Sequence, residues 1–219
     1  MNDRISLLIN DLSFQNKKVI IFGVGGVGGT CLEALVRSGI KNIDIYDFDV
    51  VEESNLNRQV ISNINNIGEK KVDAACIFSK NINKDLNIKG YNLKISKDNI
   101  YDLDLKADYV IDAIDDVEAK VALIKRCKEE NSPIISSMGT GNKLQPSELQ
   151  ITDISKTEYC PLARIMRKRL REEGINHLTV VHSKEQRQTN GKVGTMMFVP
   201  SSAGLLIASY VIRTFIGEI

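Results

Sequence analysis

Short apolar runs alternate along this chain with stretches whose apolar positions recur every three or four residues. Lys18–Phe22 reads as a buried strand. A glycine-rich turn and a helical pattern from about Val27 to Ser38 follow it, and Gly39 closes the helix. Asn42–Asp47 (NIDIYD) is a second strand, and a helix from about Glu69 to Lys80 places Val72, Ala75, Cys76 and Ser79 on one spacing. Tyr91–Ile95 and Tyr109–Ala113 read as strands, Val117–Asn131 as a helix and Pro133–Ser137 as a further strand. This alternation predicts an α/β, Rossmann-like fold, a mainly parallel sheet with helices on both faces. After Ser137 the rhythm changes. Gly139-Thr140-Gly141-Asn142 is loop-like, Glu148–Ile154, Leu178–His182 and Thr195–Val199 read as added strands, antiparallel in part, and Ser201–Phe215 as a final apolar helix. Pro161–Glu173 is a basic helix that opens with proline in its first turn. The polar loop Lys184–Lys192 is expected to be mobile.

Length and composition narrow this picture. A chain of 219 residues suits a single domain, here divided into a nucleotide-binding core over 1–137 and a substrate-facing elaboration over 138–219. A net charge of +1 means that any polyanion must be held by a local patch. Cys31, Cys76, Cys127 and Cys160 form no CxxC pair, so neither a zinc clip nor a thioredoxin-like pair is readable. The N-terminus lacks a signal-peptide layout. The apolar tract Ala203–Ile216 is broken by Ser209 and Arg213 and reads as too short to span a bilayer, so the expected location is cytoplasmic, with no membrane partner.

The chemistry starts at Gly23-Val24-Gly25-Gly26-Val27-Gly28, which follows a strand and opens a helix. Gly23, Gly25, Gly26 and Gly28 let backbone approach phosphates, and the helix N-terminus offers unpaired N–H groups to them. Asp47 ends the next strand, where an acidic side chain meets ribose hydroxyls. These two features fit NAD and ATP equally. Further on come Asn55, Arg58 and Gln59, with Lys71 thirteen residues beyond Arg58 and Asp115 after the strand YVIDAI. Cleavage of ATP between the α- and β-phosphates needs such cations to meet the charge growing on pyrophosphate. Asp115 is a natural ligand for Mg2+ through water.

With GxGGxG, D-x-D…N-x-x-R-Q, the spaced lysine and D-x-x-D in place, the chain resembles the ubiquitin-activating-enzyme-like superfamily over roughly residues 4–150. That resemblance implies ATP and Mg2+ as cofactors. Asp47 would bind ribose, Asn55, Arg58 and Lys71 would contact phosphates, and Asp115 would hold magnesium. It also implies a homodimer in which Arg4, within RISLLI, reaches the neighbouring subunit's γ-phosphate, although Asn10 replaces the usual glycine. Residues LQITDISKTEYCPLARIMRKRLREEGI, VVHSKE and GKVGTMMFVPSSAGLLIASYVI are similar to the tRNA threonylcarbamoyladenosine dehydratase branch. This implies adenylation and cyclisation of a carboxylate on modified tRNA, with a sulfur-transfer protein as a further partner. The rival readings are an adenylyltransferase for the C-terminus of a ubiquitin-like or sulfur-carrier protein, and a non-catalytic nucleotide-binding or sulfur-relay scaffold.

A tRNA needs a positive surface. On a helical wheel Arg164, Arg167, Lys168 and Arg171 share one arc, opposite Leu162, Ile165, Met166 and Leu170. Cys31, Cys76 and Cys127 read as core packing, and Cys160 as the most exposed of the four thiols. His177 and His182 have no metal-like neighbours in the sequence and read as structural or surface residues. The Gly139–Gly141 loop is expected to border the substrate.

Overall fold

The computed structural model describes residues 2–186 and 191–219. Four residues of the polar Lys184–Lys192 stretch, 187–190, therefore lie outside the described residues. Among the described residues seven strands form one sheet: β1 Lys18–Phe22, β2 Asn42–Asp47, β3 Asn87–Asn92, β4 Tyr109–Asp112, β5 Ile134–Ser137, β6 Leu149–Asp153 and β7 Thr179–Ser183. Their order is β3-β2-β1-β4-β5-β7-β6, parallel except for β6 against β7. The chain moves outward from β1 in both directions, so a crevice opens between β1 and β4 at the carboxyl ends of the strands.

Helices α2 (Gly26–Arg37), α3 (Lys71–Ile82) and α6 (Phe198–Phe215) bury Leu32, Leu35, Val72, Ala75, Ala203 and Ile207 against one face of the sheet. The other face is covered by α4 (Val117–Glu129) and α5 (Pro161–Glu172), through Leu123, Ile124, Met166 and Leu170. A short helix α1, Asn2–Ser6, precedes the sheet. By length and apolarity alone α6 is a helix that could cross a membrane, longer than the tract expected from sequence. Here it is a core helix, since Ala203, Ile207, Ala208 and Val211 are buried in the cluster that also holds the sheet and α2.

Two strand expectations are corrected. The third strand starts at Asn87, ahead of the expected Tyr91–Ile95. It is an edge strand with only Ile88 buried, so its sequence is polar and carries little alternation. Leu93 and Ile95, which suggested a strand, pack from a loop against the α4–α5 side of the core. Thr195–Val199 forms no strand. Its start and the residues before it are irregular chain held by side chains: Asn57 Nδ2 donates to the Thr195 carbonyl at 3.0 Å and Asn142 Nδ2 to the Lys192 carbonyl at 3.1 Å. Phe198 already begins α6. Backbone groups satisfied in this way need no ladder.

Candidate functional site

A cavity of about 770 Å3 fills the crevice, within the size range of sites for small ligands. Gly23, Gly25 and Gly26 line it, whereas Gly28 does not. A Cβ on Gly28 would lie 1.8 Å from the Gly23 carbonyl oxygen, so this glycine lets α2 pack against its own entering turn. Gly23 itself has φ +84°, and a Cβ there would meet the Ala113 carbonyl oxygen at 2.7 Å. Backbone is thus exposed to the cavity at the N-terminus of α2, with no side chain in the way.

Asp47 braces this turn. Its Oδ2 accepts the Val24 N–H at 2.8 Å and its Oδ1 the Asp49 N–H at 2.9 Å. Burial pushes the Asp47 carboxyl up from its ordinary range, and those N–H bonds and the Lys71 charge pull it back. A carboxylate has about four lone-pair positions, so acceptor capacity remains for ribose hydroxyls.

The residues after Asp47 converge on the same cavity. Asn55, Arg58, Gln59, Lys71 and Asp115 all line it. Lys71, the first residue of α3, is buried and its Nζ pairs with Asp49 Oδ2 at 2.7 Å. Asp49 was not singled out as a site residue from sequence. The signal was the second aspartate of D-x-D, whose partner only appears once α3 returns to the end of β2. Arg58 Nη1 is anchored on the Ser54 carbonyl at 2.8 Å and Asn57 Oδ1 at 3.0 Å. Its Nη2 and Nε take no partner among the described residues. Asn55 Oδ1 accepts the Glu52 N–H at 3.1 Å, and its Nδ2 donates to Ser54 Oγ at 3.3 Å. Gln59 is buried and its Oε1 has no hydrogen-bond partner among the described residues.

Asp115 lies on the turn between β4 and α4. It is exposed to the cavity and makes no hydrogen bond or ion pair among the described residues. An unspent carboxylate fits a magnesium ion, which is bound through one or two carboxylates and shares its remaining positions with water and phosphate. The turn is fixed from below. Asp112 and Lys120 are both fully buried and pair at 2.9 Å. Lys120 Nζ also donates to the Ile114 carbonyl at 3.0 Å, and Ser136 Oγ to Asp112 Oδ2 at 2.6 Å. Asp112 is the first aspartate of D-x-x-D, and this supporting network escaped sequence reasoning because Lys120 reads as a surface position of a helix.

The opposite wall comes from the C-terminal third. Ser137, Gly139, Thr140, Gly141, Leu162, Val193 and Thr195 line it, so the glycine loop does border the cavity as expected. Arg4 is exposed on α1 and is not among the lining residues of its own chain. On α5, Arg164, Lys168 and Arg171 face solvent. Arg167 departs from the expected arc: its guanidinium turns inward, donating to the Thr157 carbonyl at 2.9 Å and to the Thr157 hydroxyl. Ile165 is exposed rather than buried, because α5 buries the narrower stripe Ala163–Met166–Leu170.

Cys160 is a second correction. It is buried, not exposed, occupying the N-cap of α5 with Sγ accepting the Ala163 N–H at 3.5 Å. Cys31 and Cys127 are buried and Cys76 is half-buried. Burial pushes the Cys127 thiol up to about 12, so it is inert at neutral pH. His177 is exposed beside Asp153 at 3.3 Å, and His182 is buried. Among the described residues, no three His, Cys, Asp or Glu side chains cluster to hold a metal by themselves.

The chain and its fold are similar to those of known proteins. The tRNA threonylcarbamoyladenosine dehydratase of Bacillus subtilis is 34% identical over 94% of this chain and 90% of its own. The structure of E. coli tRNA N6-threonylcarbamoyladenosine dehydratase in complex with AMP superposes with a TM-score of 0.93 at 28% identity, covering 98% of this chain and 93% of that one. The same enzyme in complex with ATP gives a TM-score of 0.89 at 29% identity, covering 99% and 90%. The ThiF family model matches residues 10–218, and the chain belongs to the ThiF family.

Proposed function

We propose that this protein is an ATP-dependent dehydratase that adenylates the threonine carboxylate of threonylcarbamoyladenosine next to a tRNA anticodon and cyclises it. The observation that carries the reading is one cavity holding a backbone phosphate cradle, the cations Arg58 and Lys71, and the carboxylate of Asp115, which has no partner among the described residues. Hydride transfer to a nicotinamide has no use for those charges. Release of pyrophosphate from ATP does.

In this reading a carboxylate oxygen attacks the α-phosphorus and pyrophosphate leaves. An atom of the same modification then attacks the activated carbonyl and gives up a proton. AMP departs with one former carboxylate oxygen, so the modification loses one water overall. The free guanidinium nitrogens of Arg58 and the ammonium of Lys71 face the charge that develops on the leaving group. Asp49 holds Lys71 in place at 2.7 Å. Magnesium held by Asp115 through water would neutralise further phosphate charge. The attacking group is tethered, so no enzyme nucleophile is required, in keeping with three buried cysteines. Those thiols also disfavour a sulfur relay through this chain, leaving a sulfur-transfer protein as a docking partner at most.

Arg4 sits outside its own cavity beside exposed Leu7 and Leu8. This supports a homodimer in which Arg4 serves the neighbouring subunit's ATP. Arg164, Lys168 and Arg171 form the face for tRNA phosphates, while Arg167 holds the loop before α5.

The test supplies modified tRNA, ATP and Mg2+ and reads the nucleosides by mass spectrometry. The expected result is ATP-dependent loss of one water from threonylcarbamoyladenosine with release of pyrophosphate. An unchanged nucleoside, together with pyrophosphate exchange that depends on a small protein ending in Gly-Gly, would replace this reading by the adenylyltransferase one.

A further inference from the structure

The segment 192–195 is part of the cavity wall, with Val193 and Thr195 among the lining residues, and the chain passes from it into α6 at Phe198. It is neither helix nor strand, and it is poorly packed: Val193 is 68% exposed. Groups from two walls hold it as a strap. On the glycine-loop side, the Asn142 N–H donates to the Gly194 carbonyl at 2.8 Å, its Oδ1 accepts the Gly194 N–H at 2.5 Å and its Nδ2 donates to the Lys192 carbonyl at 3.1 Å. Asn142 does this from a left-handed backbone, φ +57°, which asparagine tolerates better than most residues. Gly141 beside it makes room, since a Cβ there would lie 2.5 Å from Val193 Cγ1. On the phosphate side the tie is a single bond, from Asn57 Nδ2 to the Thr195 carbonyl at 3.0 Å.

Asn57 has a second contact. Its Oδ1 accepts Arg58 Nη1 at 3.0 Å, so one side-chain amide joins the arginine to the strap. The rest of that guanidinium, Nη2 and Nε, is what remains for phosphate. A phosphate taken there fixes the guanidinium, and with it the orientation of the Asn57 amide whose Nδ2 holds Thr195. Hydrogen bonds chained through one polar group strengthen one another. Both bonds of Asn57 are exposed and individually weak. The strap therefore belongs to the low-stability part of the fold, where a ligand can shift it.

We infer that Asn57 is a positioning residue that ties the strap 192–195 to Arg58, so that ATP held by Arg58 orders the wall against which the acceptor is placed. Nucleotide and modified tRNA then bind cooperatively, because the first ligand has already ordered what the second would otherwise have to order. By linkage, the tRNA raises ATP affinity by the same factor. The tie from ATP to the strap rests only on nucleotide binding in the cavity. Its benefit to the acceptor rests on the proposed dehydratase reading and deepens it, by coupling the two substrates of that site.

The experiment measures hydrogen exchange at the Gly194 amide with and without a non-hydrolysable ATP analogue and Mg2+, in wild type, Asn57→Ala and Asn142→Gly. Calorimetric titration gives the affinity of each for the analogue, and for modified tRNA with and without it. In wild type the analogue is expected to slow exchange at Gly194 and to tighten tRNA binding, each by about fivefold or more. Asn57→Ala leaves Arg58 anchored on the Ser54 carbonyl. It should keep analogue affinity within about threefold and lose both responses. A merely structural role would instead weaken tRNA binding equally with and without nucleotide. Asn142→Gly suits the left-handed backbone; it should speed exchange at Gly194 in both states and shrink the nucleotide-dependent gain in tRNA affinity. If Asn57→Ala fails to fold, wild type and Asn142→Gly decide. Exchange in wild type that ignores the analogue overturns the tie, as does slowing that persists in Asn57→Ala. A larger loss of analogue affinity in Asn57→Ala also overturns it, since Asn57 would then belong to the nucleotide site. A strap that responds to the analogue in a wild type that leaves threonylcarbamoyladenosine intact upholds the tie and overturns the dehydratase reading.

Discussion

Lys120→Met removes the cation from a pair in which both side chains are 0% exposed. Asp112 would keep the Ser136 hydroxyl at 2.6 Å and the Ile114 N–H at 3.1 Å, while the Ile114 carbonyl loses its Nζ donor at 3.0 Å. Removing one partner of a buried pair costs about 3–5 kcal/mol, because the remaining charge stays buried. Against a typical domain stability of roughly 5–15 kcal/mol, that is a large share. Urea denaturation at pH 7 measures it. Exchanging both partners, Asp112→Leu with Lys120→Met, leaves no charge behind and should recover at least half of the loss. Lys120→Met should also lower kcat under conditions where the variant is fully folded, since the turn it supports carries Asp115 to the cavity. A loss below about 1 kcal/mol, or a double variant no better than the single one, would refute the claim that this pair props the turn.

Three further outcomes are expected. Asp47→Ala should chiefly weaken ATP binding, by roughly tenfold or more, whereas Arg58→Ala should chiefly lower kcat, by about 10²–10³; equal effects on affinity and rate in both would contradict these roles. Neutralising Arg164, Lys168 or Arg171 should weaken tRNA binding across sequences and lower the salt slope by about 1 for each phosphate no longer neutralised. Arg167→Ala should instead destabilise the protein, because the Thr157 carbonyl and hydroxyl give up their guanidinium donor, with little change in salt slope. His182 is held below its ordinary range, first by burial and then by the neighbouring charges of Lys184 and Lys143. A depressed base leaves stability complete above the unfolded value, about 6.5. Stability then falls as pH drops below it, because the unfolded chain takes up a proton that the folded one resists. The slope cannot exceed about 1.4 kcal/mol per pH unit for one proton. His182→Gln should flatten it in denaturation midpoints measured from pH 7 downward, and a midpoint that falls equally steeply in the variant would assign the effect elsewhere.

The central strands were legible because β1 and β4 are buried and read as short apolar runs, while β2 buries Ile43, Ile45 and Tyr46 within its NIDIYD sequence. Failures came where burial is one-sided or absent. At the sheet edge β3 buries only Ile88, and on α5 the inward turn of Arg167 is a tertiary choice, made by the Thr157 acceptors it finds. Cys160 looked accessible beside a proline-led helix, but the loop at Gly139 closes over it: a Cβ there would be 3.5 Å from its sulfur.

The glycine turn, Asp47, Arg58, Lys71 and Asp115 could be named as one site from linear order alone. Their spacing is tied to strand ends and helix starts, and those are local properties of the chain. Their electrostatic partners could not be named in this way. Asp49 meets Lys71 and Asp112 meets Lys120 only when α3 and α4 fold back on the sheet. The second wall, with Lys143 buried beside Gly139 and Leu162, is assembled from segments distant in sequence. Local propensity and spacing act over a few residues. Burial and charge pairing depend on what the rest of the chain brings alongside, and here they set which of these side chains are free to meet a ligand.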